Sequence, residues 1–253
     1  MESPRILFVH GAAADARLWA PVIAALPSHW MMEAITLSYF GNSEWPDSGE
    51  SFGPRVHSAQ VRTMAAHMSG DVHVVGWSYS VHVVLQALLD APDLFASAIL
   101  YEAALGQYIT EENKREAYAK DANSLFGAVG AKLEKEGEEA SVRQLVGPGF
   151  AALPPERQSM YLSNAAMMPL LMGGGEAPTK IGAQELASIE VPCCVVMGSN
   201  TRPAFSIPSR SLAAALPNGK IDVVAGADHF LPETNPGLFA AVVEEWIVER
   251  WRE

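Results

Sequence analysis

The sequence predicts an α/β fold: a mainly parallel sheet flanked by helices, with a helical segment inserted into its second half. Two observations carry this reading. Short β-rich apolar runs alternate with longer stretches whose apolar residues recur at three- and four-residue spacings, the pattern of a sheet covered on both faces by crossover helices. The rhythm then breaks after Glu102, and residues 103–185 contain no convincing strand. A length of 253 residues suits one α/β domain with a large core.

Strands are expected at Ile6–Val9, Glu33–Leu37, Val72–Val75, Ser97–Leu100, Cys193–Met197 and Ile221–Val224, all short, mostly apolar and several β-branched. Crossover helices are expected at Leu18–Leu26, Val56–Met68, Val81–Leu89, Ser211–Leu216 and Leu238–Trp251. The inserted region reads as helical segments such as Glu111–Ala122 and Leu125–Glu136, separated by Gly and Pro. Residues 1–102 and 186–253 are thus expected to form the core domain and 103–185 a helical cap. Met160, Met167, Met168 and Met172 fall in the second half of that cap, where flexible thioethers serve either as core filling or as an adaptable pocket wall. No internal repeat or low-complexity tract is present.

Composition narrows the function. With 49% hydrophobic residues, 18% charged residues and a formal net charge of −12, the chain carries no Lys/Arg-rich run. Nucleic acid and anionic membrane surfaces need a basic footprint, so neither is an expected partner. The longest apolar stretches, such as Val81 to Leu89, are interrupted and fall short of the roughly 18–20 residues of a membrane span. The N-terminus runs through Met1-Glu2-Ser3-Pro4-Arg5 straight into Ile6, with no signal-peptide pattern, so a cytoplasmic protein is expected. The two cysteines, Cys193 and Cys194, are adjacent in an apolar run and read as buried thiols.

Chemistry concentrates at Gly76-Trp77-Ser78-Tyr79-Ser80, a serine between small residues at the junction of an apolar strand and a helix. Alone, the string also fits an ordinary helix N-cap. In context it resembles the nucleophile elbow G-x-S-x-G of the α/β-hydrolase superfamily, with Ser80 in place of the second glycine. So tight a turn forces the serine oxygen outward and crowds its neighbours, which is why they must be small. Upstream, Ile6-Leu7-Phe8-Val9-His10-Gly11-Ala12 is similar to the family's strand-to-loop segment beside the oxyanion hole. The resemblance therefore implies Ser78 as nucleophile and the backbone amides of Ala12 and Tyr79 as oxyanion donors. His10 is read as structural.

The same resemblance places the general base near the C-terminus, at His229 in Ala225-Gly226-Ala227-Asp228-His229-Phe230. In most of the family the acid follows the penultimate strand, but here Ser199-Asn200-Thr201-Arg202-Pro203 contains no carboxylate. A family variation puts it after the preceding strand, where Glu102 stands, with Asp228 as the rival. Trp77 and Phe230 flank the nucleophile and the base, and with Met167 and Met168 they are candidate pocket residues. Tyr39-Phe40-Gly41-Asn42-Ser43 resembles a structural turn beside the site. For His29, His57, His67, His73 and His82 packing or surface roles are expected; none is spaced as a metal motif, and neither metal nor cofactor is expected.

The implied activity is a serine hydrolase acting on a small, fairly apolar carboxylic ester, lactone or thioester through an acyl-enzyme. A small-molecule substrate is the expected partner. Carbon–carbon bond hydrolysis and acyl transfer use similar triads, and a non-catalytic ligand-binding protein on the same fold is the reading from another class. A serine at the elbow argues against dehalogenase or epoxide-hydrolase chemistry, which in the family needs a carboxylate nucleophile.

Overall fold

A computed structural model of the chain describes residues 3–42 and 44–251, so Ser43 of the Tyr39 turn lies outside the described residues. In chain order the elements are β1 (Arg5–Val9), α1 (Ala20–Ala25), β2 (Met31–Ile35), α2 (Pro54–His67), β3 (Val72–Trp77), α3 (Tyr79–Asp90) and β4 (Phe95–Tyr101). Four helices follow: α4 (Glu112–Glu136), α5 (Glu138–Val146), α6 (Pro155–Leu162) and α7 (Ala183–Ala187). The chain then returns to the sheet with β5 (Cys193–Gly198), α8 (Pro203–Ala215), β6 (Gly219–Val224), α9 (Leu231–Thr234) and α10 (Pro236–Trp251).

The six strands form one sheet in the order β2-β1-β3-β4-β5-β6, with every neighbouring pair parallel. Position in that order explains the residue types. Every residue of β3 and β5 is buried, because helices cover both faces, and both strands read as apolar runs, interrupted in β3 only by His73. Of the edge strands β6 is largely exposed and β2 half-buried, and their sequences are correspondingly mixed. On one face α1 packs against α10, and Phe239 of α10 meets both Trp19, at 5.2 Å from Phe8 on the other side, and Tyr101 of β4. Each such fully buried side chain contributes about 1.5–3 kcal/mol.

The expected elements are present, with shifted ends. β2 lies two residues earlier than expected, since the ladder to β1 ends at Val9 opposite Ile35 and the Leu37 amide turns to the His10 ring instead. α8 starts at Pro203 rather than near residue 211; Pro208 inside it and its serines hide the helical period. α4 is one helix of 25 residues rather than two, because Asn123 and Ser124 face solvent, where their weak propensity costs little. α7 runs across residue 186, where the core was expected to resume. Cys193 and Cys194 are buried free thiols, pushed up to about 12 by burial. Among the described residues no helix is long and apolar enough to cross a membrane.

Candidate active site

The turn between β3 and α3 consists of Ser78 alone, held at φ 58° and ψ −111°. A non-glycine residue there stores on the order of 1–3 kcal/mol of strain, so its surroundings must fix it. The Ser78 amide donates to the Tyr101 carbonyl at 2.9 Å, and a Cβ on Gly76 would meet Val84 at 3.0 Å and the Ser80 carbonyl at 3.1 Å. Ser80, the departure from the two-glycine pattern, is fully buried. Its hydroxyl accepts from the Trp77 amide at 2.9 Å and donates to the Val9 carbonyl at 2.8 Å, pinning the elbow to the end of β1. The replacement thus supplies bonds that glycine could not.

Glu102 leaves the end of β4 at φ 53°, with its side chain 0% exposed. Its amide donates to the Val196 carbonyl at 3.0 Å, which seats it at the carboxyl edge of the sheet. Carboxylate atom Oε1 accepts from the Gly198 amide at 2.8 Å and from the Thr201 hydroxyl. Oε2 accepts from Nδ1 of His229 at 2.7 Å, and Nε2 of His229 lies 3.0 Å from Ser78 Oγ. With Nδ1 facing a carboxylate, the ring proton belongs on that nitrogen, leaving Nε2 free to accept from the serine. Asp228 is exposed and instead accepts from the Phe230 amide at 2.9 Å, so Glu102 and not Asp228 reaches the ring.

The ring of His229 is held on several sides. Phe205 stacks on it at 3.6 Å between centroids and 7° between planes, and the Trp77 indole donates to its carbonyl at 2.9 Å. The Tyr101 hydroxyl donates to the carbonyl of Asp228. The 199–200 segment is stitched to the base-bearing loop: Asn200 donates from its amide to Ala227 O at 2.9 Å, and the Gly226 amide donates to Ser199 Oγ at 2.8 Å. The approach is so close that a Cβ on Gly198 would lie 2.2 Å from the Ala227 carbonyl oxygen.

Ala12 and Tyr79 lie beside Ser78 on the wall of the same cavity. The loop bearing Ala12 is fixed by His10, whose Nδ1–H donates to Gly11 O at 2.8 Å while Nε2 accepts from the Leu37 amide at 3.1 Å. The Tyr79 phenol donates to Nδ1 of His57 at 2.7 Å, and the His57 Nε2–H donates to Ser38 O at 3.1 Å. His82 bonds to the Tyr108 hydroxyl at 2.6 Å and to Thr179 at 3.0 Å. Burial pushes His10, His57, His73 and His82 down to about 4, so all four are neutral.

The cavity encloses about 940 Å³ between the carboxyl edge of the sheet and the helices that follow β4. Trp77, Phe230, Phe205, Phe126, Leu145 and Leu171 are among the apolar side chains of its wall. Met167 and Met168, expected there, are not on it: both are fully buried in the hydrophobic core, and Met172 lines the cavity in their place. The one cation on the wall among the described residues, Arg202, is tied to Asp121 of α4 by two bonds of 2.8 Å. In the Tyr39 turn, the Gly41 amide donates to Asn164 at 2.5 Å, a packing role.

Thr201, Phe205 and Gly198 are site residues that the sequence did not disclose. Thr201 sits in the segment searched for a carboxylate, where a hydroxyl carries no signal by itself. Phe205 was hidden with the first turns of α8.

An α/β sheet with a strained serine elbow, and a His and a carboxylate converging on it, defines the class. Residues 6–242 match the Alpha/beta hydrolase family, and the chain belongs to that family. It is 28% identical over 101 residues to Esterase Rv0045c of Mycobacterium tuberculosis, a match spanning 40% of this chain and 33% of that protein. MenH from S. aureus shares the fold with a TM-score of 0.75 at 18% identity, covering 99% of this chain and 96% of that one. An esterase from Thermogutta terrifontis gives 0.74 at 18% identity, covering 98% and 90%. The esterase RhEst1 from Rhodococcus sp. ECU1013 gives 0.72 at 20% identity, covering 97% and 90%.

Proposed function

We propose that this hydrolase cleaves small, uncharged carboxylic esters through an acyl-enzyme on Ser78. The observation that carries the reading is the unbroken line from Ser78 Oγ through His229 to the buried Glu102, at 3.0 and 2.7 Å. As Ser78 Oγ attacks the acyl carbon, its proton passes to Nε2 of His229 and the carbonyl π pair becomes an oxyanion. The amides of Ala12 and Tyr79 hold that charge. The intermediate collapses by breaking the bond to the leaving oxygen, which takes the proton from Nε2. Water then repeats the attack with His229 as base and expels Ser78. Glu102 stays ionised throughout, holding the tautomer and stabilising the imidazolium.

The apolar wall, and a guanidinium already neutralised by Asp121, favour a neutral acyl group. Residues 103–185 act as the cap that shapes this cavity. The esterase names among the relatives point the same way. The test is steady-state hydrolysis of p-nitrophenyl butyrate beside an anionic ester of equal length, such as p-nitrophenyl hemisuccinate. The neutral ester should turn over with the higher kcat/KM, and Ser78→Ala should abolish both activities. A preference for the anionic ester overturns the substrate class, and full activity in Ser78→Ala overturns the mechanism.

A further inference from the structure

We propose that Thr201 is the positioning residue of the acid, fixing which oxygen of Glu102 faces His229. The inference rests on the serine-hydrolase reading above. Glu102 is 0% exposed, and a carboxylate removed from water needs donors in place of its lost hydration. Three donors take that place: the Gly198 amide and the Thr201 hydroxyl on Oε1, and the His229 ring on Oε2. With both of its other donors on Oε1, the carboxylate cannot rotate without breaking them, so Oε2 is presented to Nδ1. Of the two, only the Thr201 hydroxyl belongs to a side chain.

Thr201 is placed for this by the 199–200 segment, which is tied to the base-bearing loop by Asn200 and Ser199. Acid, base and Thr201 are therefore referenced to one piece of backbone. In this chain the loop after β5 thus contributes a donor to the acid rather than the acid itself. The empty carboxylate position and the carboxylate at Glu102 are two halves of one arrangement.

A merely structural threonine and a positioning one differ in their effect on proton affinity. Removing a donor makes Glu102 a more basic partner for the His229 imidazolium, so His229 must lose its proton at higher pH before it can act as a base. The experiment is the second-order rate of inactivation by a fluorophosphonate as a function of pH, for wild type, Thr201→Val and Thr201→Ser, and for Glu102→Gln with and without Thr201→Val. Thr201→Val should label roughly tenfold more slowly or worse, with its acid limb moved upward by about half a pH unit or more. Thr201→Ser, which keeps the hydroxyl, should restore both rate and limb. In the Glu102→Gln background Thr201→Val should change little, because the group it acts through has been altered.

An unmoved acid limb in Thr201→Val, an equal loss in Thr201→Ser, or an undiminished effect in the Glu102→Gln background overturns the role of Thr201 and leaves the hydrolase reading standing. Absence of labelling in wild type overturns both.

Discussion

The carboxyl edge of the sheet and the helices that cover it are held in different ways. At the edge, Ser78 and Glu102 sit one residue beyond paired strands, Trp77 opposite Tyr101 and Tyr101 opposite Val196, and main-chain bonds fix both. In the covering helices burial is uneven: among the 25 residues of α4 only Ala122 and Val129 are buried, whereas Met160, Tyr161, Met167 and Met168 further along reach the core. The cover is fastened by side chains distant in sequence: Arg157 to Glu233, Asn164 to Asp15, and Asp121 to Arg202. The reacting atoms are thus tied to the backbone of the sheet, while α4 and its neighbours are joined to it by side chains.

The sharpest way to break the edge without touching the cover is Glu102→Gln. Turnover should fall on the order of 10⁴-fold, since an amide holds the wrong tautomer of the base. The melting temperature should change little, and Asp228→Asn should cost far less activity; the reverse ranking would transfer the acid to Asp228.

The cover is tested by Arg157→Met. Arg157 and Glu233 are 13% and 5% exposed, the guanidinium donates to both carboxylate oxygens, and Tyr161 donates to the same carboxylate at 3.0 Å. Removing the cation leaves Glu233 buried and unpaired, so unfolding in urea should show a loss of about 3–5 kcal/mol. Restoring neutrality with Arg157→Met/Glu233→Gln should recover part of it.

Acid separates the two regions by another route. Four buried histidines, three packed under the sheet edge or between its strands and helices and the fourth, His82, joining α3 to Thr179, are held near 4. The unfolded chain takes up protons at about 6.5, so between 6.5 and 4 it binds protons that the folded chain refuses. Their contribution is complete above about 6.5 and is lost as pH falls, by up to about 1.4 kcal/mol per pH unit for each residue. The urea midpoint should therefore drop steadily from pH 7 to pH 5. A flat midpoint would contradict their neutrality in the fold.

The smallest effect on stability belongs to Asp121→Asn. Arg202 holds the Asp121 carboxyl below the usual carboxylate range, but the pair is 21% and 39% exposed, so breaking it should cost no more than about 1 kcal/mol. Freed of its partner, Arg202 becomes a cation on the cavity wall, and the preference against anionic esters should shrink. An unchanged preference would place the determinant elsewhere.

Much of this was legible in the sequence where one strand or one turn carried the whole signal. β3 and β5 are almost wholly apolar because both faces are covered, and Gly76, Ser78 and Glu102 stand at strand ends that the pattern located within two residues, with His229 in the loop after the last strand. What failed to show depends on tertiary partners. Met167 and Met168 fit either core or wall by sequence, and the fold places them in the core rather than on the expected wall. Thr201 and Phe205 matter because of what they meet, Glu102 and His229, about a hundred and some two dozen residues away respectively. Ser80 looked like a defect in a glycine pattern until its two hydrogen bonds were seen.

The central claim is that Ser78 is an activated nucleophile, and intact-mass analysis after exposure to a fluorophosphonate tests it without knowledge of the substrate. The account predicts one adduct per chain, mapped to the peptide containing Ser78 and absent from Ser78→Ala. An adduct on another residue, or none on folded wild-type protein, would contradict it.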